Sequence, residues 1–251
     1  MRVAREVIFM RFQEIDLKKN KLDQARPLPI HSVKSLLNHV LIDWTYNSNA
    51  IEGNTLTISE TKVVLEGMTI GGKTMREHLE VINHRDAINF LEEVVQKNER
   101  LTEWTIKSIH RLVLKGIQED NAGVYRKENV VIGGASHRLP DHVIVPELME
   151  QFISKVENEW STIHPVERAA KVHAEFVKIH PFIDGNGRTS RLLMNYELMK
   201  AGFPPAVIKA IDRARYYDAL DLAHTTGDHE PFIQLVSNSV NESLDLWLSV
   251  V

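Results

Sequence analysis

The chain has 251 residues, enough to bury one large core without cross-links, and it contains no cysteine, which excludes disulfides and thiolate metal sites and fits a reducing cytoplasm. Its formal net charge of -4 argues against binding along a nucleic-acid backbone and confines any phosphate chemistry to a local site. No stretch approaches the roughly 18 to 20 apolar residues of a membrane span, and the early VIFM run is too short for a signal-peptide core, so a cytoplasmic protein with neither membrane nor nucleic-acid partner is expected.

From His31 to Glu52, the residues Val33, Leu36, Leu37, Val40, Leu41, Trp44 and Ile51 recur at three-to-four spacing, which predicts an amphipathic helix stopped by Gly53. Ser59 is placed to cap a second helix running to Gly67. Arg76 to Gln96 reads as a longer third, and Thr102 as the cap of a fourth that closes at Gly116. The helical pattern breaks in NVVIGGASHRLPDHVIVP, where β-branched residues, a Gly-Gly pair and prolines predict a short β-hairpin over 130–139. Helices resume near Pro146–Trp160, Val166–Ile179, Arg188–Ala201 and Tyr216–Thr225, with one more at the C-terminal end. No Pro/Gly/Ser-rich linker interrupts the pattern, so 1–251 reads as a single, mainly α domain.

GMTIGGKT, Gly67 to Thr74, satisfies the letters of a P-loop, but a polar-patterned helix precedes it where a buried strand is required, and no βαβ alternation follows. No HExxH zinc spacing and no GxSxG nucleophile elbow is present.

HPFIDGNGRTSR, His180 to Arg191, concentrates the chemistry. A packed helix ends at His180, Pro181 prevents its continuation, Asp184 to Gly187 form a turn, and a new helix opens near Arg188. A glycine-rich turn feeding a helix start presents unpaired N–H groups and the positive end of the helix dipole, a setting for anions. Arg188 and Arg191, three apart on a helix, share a face, and their guanidinium forks suit polyphosphate. Asp184 supplies a hard oxygen of the kind that, with substrate phosphates, holds Mg²⁺. His180 can accept a proton near neutral pH. Phe182 reads as a core plug that fixes the loop.

The stretch matches H-x-F-x-[DE]-G-N-G-R-x-x-R at every fixed position and so resembles the signature of Fic-domain proteins. GVYRKENVVIGGASHRLP is similar to that family's Gly-x-Tyr-Arg segment and flap, and IEGNTLTISE with VINHRDAI to its N-terminal helices, so the likeness runs from about Leu28 to Phe232. The resemblance implies a helical bundle with a β-hairpin flap over the active site. It further implies a protein adenylyltransferase that moves AMP from ATP to a Ser, Thr or Tyr hydroxyl of a target protein and releases pyrophosphate. By that likeness His180 is the base, Asp184 holds Mg²⁺, and Gly185, Asn186, Gly187, Arg188 and Arg191 bind the phosphates. Val131, Ile132 and Gly133 belong to the flap that docks the target by strand addition. Tyr216, Tyr217 and His224 belong to the adenine pocket, although His224 stands where asparagine is expected in some relatives.

Ser48, Glu52 and Gly53 match the family's inhibitory motif [ST]-x-x-x-E-[GN], and the resemblance implies that 31–53 is an inhibitory helix whose glutamate pairs with Arg191 and displaces the γ-phosphate. The alternatives are an ATP-sensing interaction module, transfer of another phosphate-containing group, or removal of AMP. A homo-oligomeric state, the target and the trigger stay open.

Overall fold

The computed structural model describes residues 2–133 and 136–250, with side chains from Phe12 onward. Ten α-helices appear among the described residues: α1 Arg2–Gln24, α2 Ile30–Ile51, α3 Ile58–Leu65, α4 Met75–Gln96, α5 Glu103–Leu114, α6 Val145–Ser154, α7 Pro165–Ile179, α8 Asn186–Lys200, α9 Arg213–Thr226 and α10 Glu230–Leu248. The helices expected from hydrophobic spacing are present with shifted ends. α3 starts earlier than expected because Thr57, rather than Ser59, accepts the Glu60 N–H while the Glu60 side chain reaches back to the Thr57 N–H, a reciprocal capping box. α4 begins with the same device between Thr74 and Glu77, which gives the Thr74 of the P-loop letters a structural role. α6 gives way at Lys155–Glu159 to a wider π turn before Trp160. α1 was not anticipated from the sequence.

The centre of the molecule is the α7–α8 pair, the most extensive helix contact in the chain. α8 has no polar face: from Thr189 to Leu198 its side chains are buried on every side. One core, built around Trp44, Phe152, Phe176 and Phe182, packs α4, α5 and α6 against this pair. A second, with Ile51, Tyr216, Phe232 and Val240, packs α1, α9 and α10 on the other side. α2 runs past both, and its C-terminal end arrives where α8 begins; Trp44 lies in the first core and Ile51 in the second.

The β-hairpin expected over 130–139 is not formed as paired strands among the described residues, and its tip at 134–135 lies outside them. Val131 is 95% exposed, and an isolated two-stranded ribbon is marginal in water. Its backbone partners come from elsewhere instead: the Ser136 N–H donates to Asp221 Oδ1 at 2.8 Å, and the Pro140 carbonyl accepts from Arg126 Nη2 at 2.6 Å. No helix among the described residues is long and apolar enough to cross a membrane.

Candidate active site

The turn between α7 and α8 is built to hold one shape. His180 terminates α7 in the left-handed region, with φ 50° and ψ 61°. Its N–H still donates to the Phe176 carbonyl at 3.0 Å, while its own carbonyl accepts from Arg126 Nε at 2.9 Å. Phe182 is fully buried and stacks on His110, with ring centroids 3.6 Å apart. His110 also bonds the Asp184 carbonyl at 2.8 Å. Asn186, 2% exposed, accepts the Phe182 N–H at 3.0 Å and donates to the Phe182 carbonyl at 2.8 Å. Both ends of its amide are thus engaged with the loop, and it serves here as the clamp that closes the turn.

Gly185 takes the positive φ of 76° that the turn requires, and its N–H donates to Asp184 Oδ1 at 2.6 Å. No side chain caps α8, so helix geometry leaves the first N–H groups of Asn186, Gly187 and Arg188 directed out of its N-terminus. A side chain at Gly187 would run into the Glu52 carboxylate, so that carboxylate lies directly on the helix start.

Arg191 is 2% exposed and is surrounded by acceptors. Its Nε donates to Ser48 Oγ at 3.0 Å. Nη2 donates to the Ser48 carbonyl and to Glu52 Oε1, each at 2.7 Å, and Nη1 donates to the Tyr216 hydroxyl at 3.1 Å. Burial opposes the charge of Arg191, and Tyr216 and Glu52 outweigh that and hold it protonated. Ser48 and Glu52 therefore meet Arg191 from the last turn of α2, and Gly53, at φ 98°, turns the chain away immediately afterwards. Arg188 is equally buried and faces carboxylates: its Nη1 is 3.3 Å from Glu80 Oε1 and its Nη2 is 3.4 Å from Asp184 Oδ1. Burial pushes the Asp184 carboxyl up, but Arg188, the Gly185 N–H and Arg76 more than offset this and keep it below its ordinary value.

A cleft of about 350 Å³ opens between this loop, the 130–139 segment and α9, and Glu52, Gly187 and His180 all line it. A cavity of similar size, about 390 Å³, lies at the opposite end of α8 near Arg168 and Lys200, remote from the motif. The His180 ring is mostly buried, and burial first, then Arg126, push it down to about 4, so the imidazole is neutral at pH 7 and able to take a proton. Ile132 and Gly133 line the cleft, whereas Val131 points to solvent. Tyr217 and His224 line its far wall. Tyr216 also reaches it but is 1% exposed and works from behind, its hydroxyl lying between Arg191 and His173 Nε2 at 3.1 Å from each.

Arg76, Glu80 and His137 were not anticipated at the site, and Arg126, the arginine of the Gly-x-Tyr-Arg segment, was given no role there. Arg76 donates from Nη2 to Asp184 Oδ2 at 2.6 Å, and Glu80 holds Arg76 Nε at 3.1 Å. Arg126 ties the base of the 130–139 segment to His180. His137 packs edge-on against His224, with centroids 4.4 Å apart, and so lays the segment on α9. The i, i+4 spacing of Arg76 and Glu80 was visible; the meeting of Arg76 with Asp184 and of Glu80 with Arg188, more than a hundred residues away, was not.

The family model described as Fic/DOC family matches residues 100–198, the stretch that carries α5, the 130–139 segment, α7 and the motif. A solved structure of Fic-1 (residues 134–508) from C. elegans superposes with a TM-score of 0.88 at 31% identity, over 99% of this chain and 74% of that one. This chain belongs to the Fic/DOC family. A Fic-domain signaling protein from Bacteroides thetaiotaomicron is similar across 94% of this chain and 96% of its own, with a TM-score of 0.86 at 29% identity. Among curated relatives, the protein adenylyltransferase Fic of Culex quinquefasciatus is 37% identical over 241 residues, 95% of this chain and 47% of its own length. That of Nematostella vectensis is 39% identical over 247 residues, 94% of this chain and 55% of its own. This Fic/DOC chain thus spans about half the length of the curated relatives it matches.

Proposed function

We propose that this chain is a protein adenylyltransferase held in check by Glu52. The observation that carries the reading is the convergence on one cleft of a neutral His180, an uncapped helix start and Glu52, the carboxylate at the end of α2 that holds the buried Arg191 behind it. In the reaction the hydroxyl oxygen of a target Ser, Thr or Tyr forms a bond to the α-phosphorus of ATP, its proton passes to the His180 imidazole, and the bond from that phosphorus to the bridging oxygen of pyrophosphate breaks. The N–H groups at the start of α8 and the two arginines serve as fixed donors for the phosphate oxygens, so the contribution of the protein is alignment and charge stabilisation.

Asp184 fits a divalent ion of the Mg²⁺ kind: it is ionised and directs Oδ2 outward, where a cation, the Arg76 guanidinium, already sits. No group of three or more His, Asp or Glu side chains gathers into a metal cage among the described residues, which suits an ion that takes its other ligands from phosphates and water. When bound, such an ion neutralises and aligns the α- and β-phosphates.

Glu52 supports the inhibitory half of the reading. Its carboxylate covers the α8 start and holds Arg191, so a γ-phosphate and Glu52 compete for the same donors. Transfer of label from [α-³²P]ATP into protein tests both halves, with wild type, Glu52→Gly and Glu52→Gly combined with His180→Ala compared. Weak labelling of the wild type, a rise in the single variant and its loss in the double are expected. Equal labelling of wild type and Glu52→Gly overturns the restraint, and labelling that survives His180→Ala overturns the base. A hydrolytic second reading has its own observation: Glu52 lines the same cleft as His180, a place from which a carboxylate positions water against a bound AMP ester. Release of AMP from a labelled target by the wild type but not by Glu52→Gly supports it.

A further inference from the structure

Arg76 occupies a position that helix stability does not explain. It sits in the first turn of α4, where the helix dipole disfavours a cation, and the helix start is already satisfied by the Thr74–Glu77 capping box. Its i, i+4 pairing with Glu80 has the cation N-terminal to the anion, the weaker orientation. What holds it there is Asp184, whose Oδ2 accepts from Arg76 Nη2 at 2.6 Å.

The two oxygens of Asp184 divide their work. Oδ1 is turned inward to the Gly185 N–H and Arg188. Oδ2 is the outward oxygen, available to a metal, and among the described residues its hydrogen-bond partners are Arg76 and the more distant Gln118 amide at 3.4 Å. A cation bound through Oδ2 must take the place of the guanidinium. Arg76 need not leave entirely: Nε stays tethered to Glu80 Oε1, and Glu80 is itself anchored by Asn54 Nδ2 at 2.9 Å, just beyond Gly53.

We infer that Arg76 is an internal counter-ion of Asp184 that competes with the divalent metal and so sets how strongly nucleotide binding depends on it. This inference rests on the metal assignment of Asp184 above. Arg76 is a positioning residue that acts through Asp184, and it gives the site a second restraint, on the metal side, beside that of Glu52 on the phosphate side. The Arg76 side chain is half exposed, and its contact is worth what partly exposed ion pairs are worth. Freed of it, the site gains roughly two- to fivefold in metal coupling.

The experiment measures the Kd of a non-hydrolysable ATP analogue for the full chain in EDTA and in Mg²⁺, for wild type, Arg76→Gln, Asp184→Asn and the double variant, with melting temperatures as the check on folding. Arg76→Gln is expected to increase the ratio of the EDTA Kd to the Mg²⁺ Kd by that factor, and to have no such effect once Asp184 is Asn. An unchanged ratio in Arg76→Gln, with Asp184→Asn abolishing the coupling, overturns the role of Arg76 and leaves the metal assignment standing. Weaker binding by Arg76→Gln in EDTA and Mg²⁺ alike makes Arg76 a direct phosphate ligand and also overturns the inference. Coupling that survives in Asp184→Asn overturns the metal assignment itself.

Discussion

Glu52→Ala removes the carboxylate that faces Arg191 and leaves the buried guanidinium with three neutral acceptors, Ser48 Oγ, the Ser48 carbonyl and the Tyr216 hydroxyl. Breaking a fully buried pair costs roughly 3–5 kcal/mol, whereas exposed pairs are worth below about 1 kcal/mol. Here Arg191 is 2% exposed and the Glu52 side chain 30%. With the remaining acceptors in place the cost falls between those limits, about 2 kcal/mol. For a domain of this size that is a drop in melting temperature of roughly 4–8 °C. ATP supplies a replacement anion, and at a hundredfold excess over its Kd a ligand adds about 2.7 kcal/mol to stability. Thermal melts of both proteins with and without ATP therefore carry a paired expectation: the variant is less stable alone and gains more from ATP than the wild type, whose Glu52 must first be displaced. Equal melting temperatures without nucleotide, together with equal ATP-induced gains, would refute the claim that Glu52 is the resident counter-ion of Arg191.

Asn186→Ala removes both hydrogen bonds that close the 182–186 turn at a buried position and is expected to cost about 1–3 kcal/mol in urea unfolding, with nucleotide affinity falling as the α8 start loses its shape. Arg126→Ala releases the carbonyls of His180, Glu128 and Pro140 together. In the Glu52→Gly background it should lower labelling of a target severalfold while an ATP analogue binds as before, because the 130–139 segment and the His180 backbone are disturbed and the phosphate donors are not. Burial pushes His84 down to about 3, and His110, His180 and His224 to about 4. The unfolded chain takes up these protons first, so the stability they contribute is full above pH 6.5 and is lost as the pH falls from 6.5 toward 4, at up to about 1.4 kcal/mol per pH unit for each buried imidazole. Unfolding measured at pH 7.5, 6 and 5 should show that decline. With His180 already neutral, kcat/KM for labelling should stay level from pH 8 to 6; an inflection near 6.5 would show an unperturbed imidazole.

Much of the bundle was legible because apolar residues recur at helical spacing from His31 onward and glycines mark several of the ends. Where expectation and structure part, a tertiary or reciprocal contact decides. The 130–139 segment has strand-like residues but no strand among the described residues to pair with, and it is held by Arg126, Asp221 and the His137–His224 contact. Tyr216 and Tyr217 look equivalent in sequence, yet one faces Arg191 from the core and the other the cleft, since neighbouring positions on a helix point in different directions. The Asn186 amide is bonded to both backbone groups of Phe182, a local contact that letters alone do not reveal, and its place at the phosphates stays part of the proposal.

The sequence by itself placed the residues on which the proposed chemistry rests side by side, because His180, Asp184, the glycines and the paired arginines lie between His180 and Arg191, where local chain geometry brings them together. It also specified Ser48 and Glu52 on one helix face. Only the tertiary structure decided whom each charge meets. Glu52 reaches Arg191 because α2 ends over the start of α8, and Arg76 and Glu80 reach Asp184 and Arg188 because α4 begins beside the same turn. Charges buried or half-buried in a protein must find partners, and which partners are available depends on how the helices cross, a property of the packed cores rather than of any single stretch of chain.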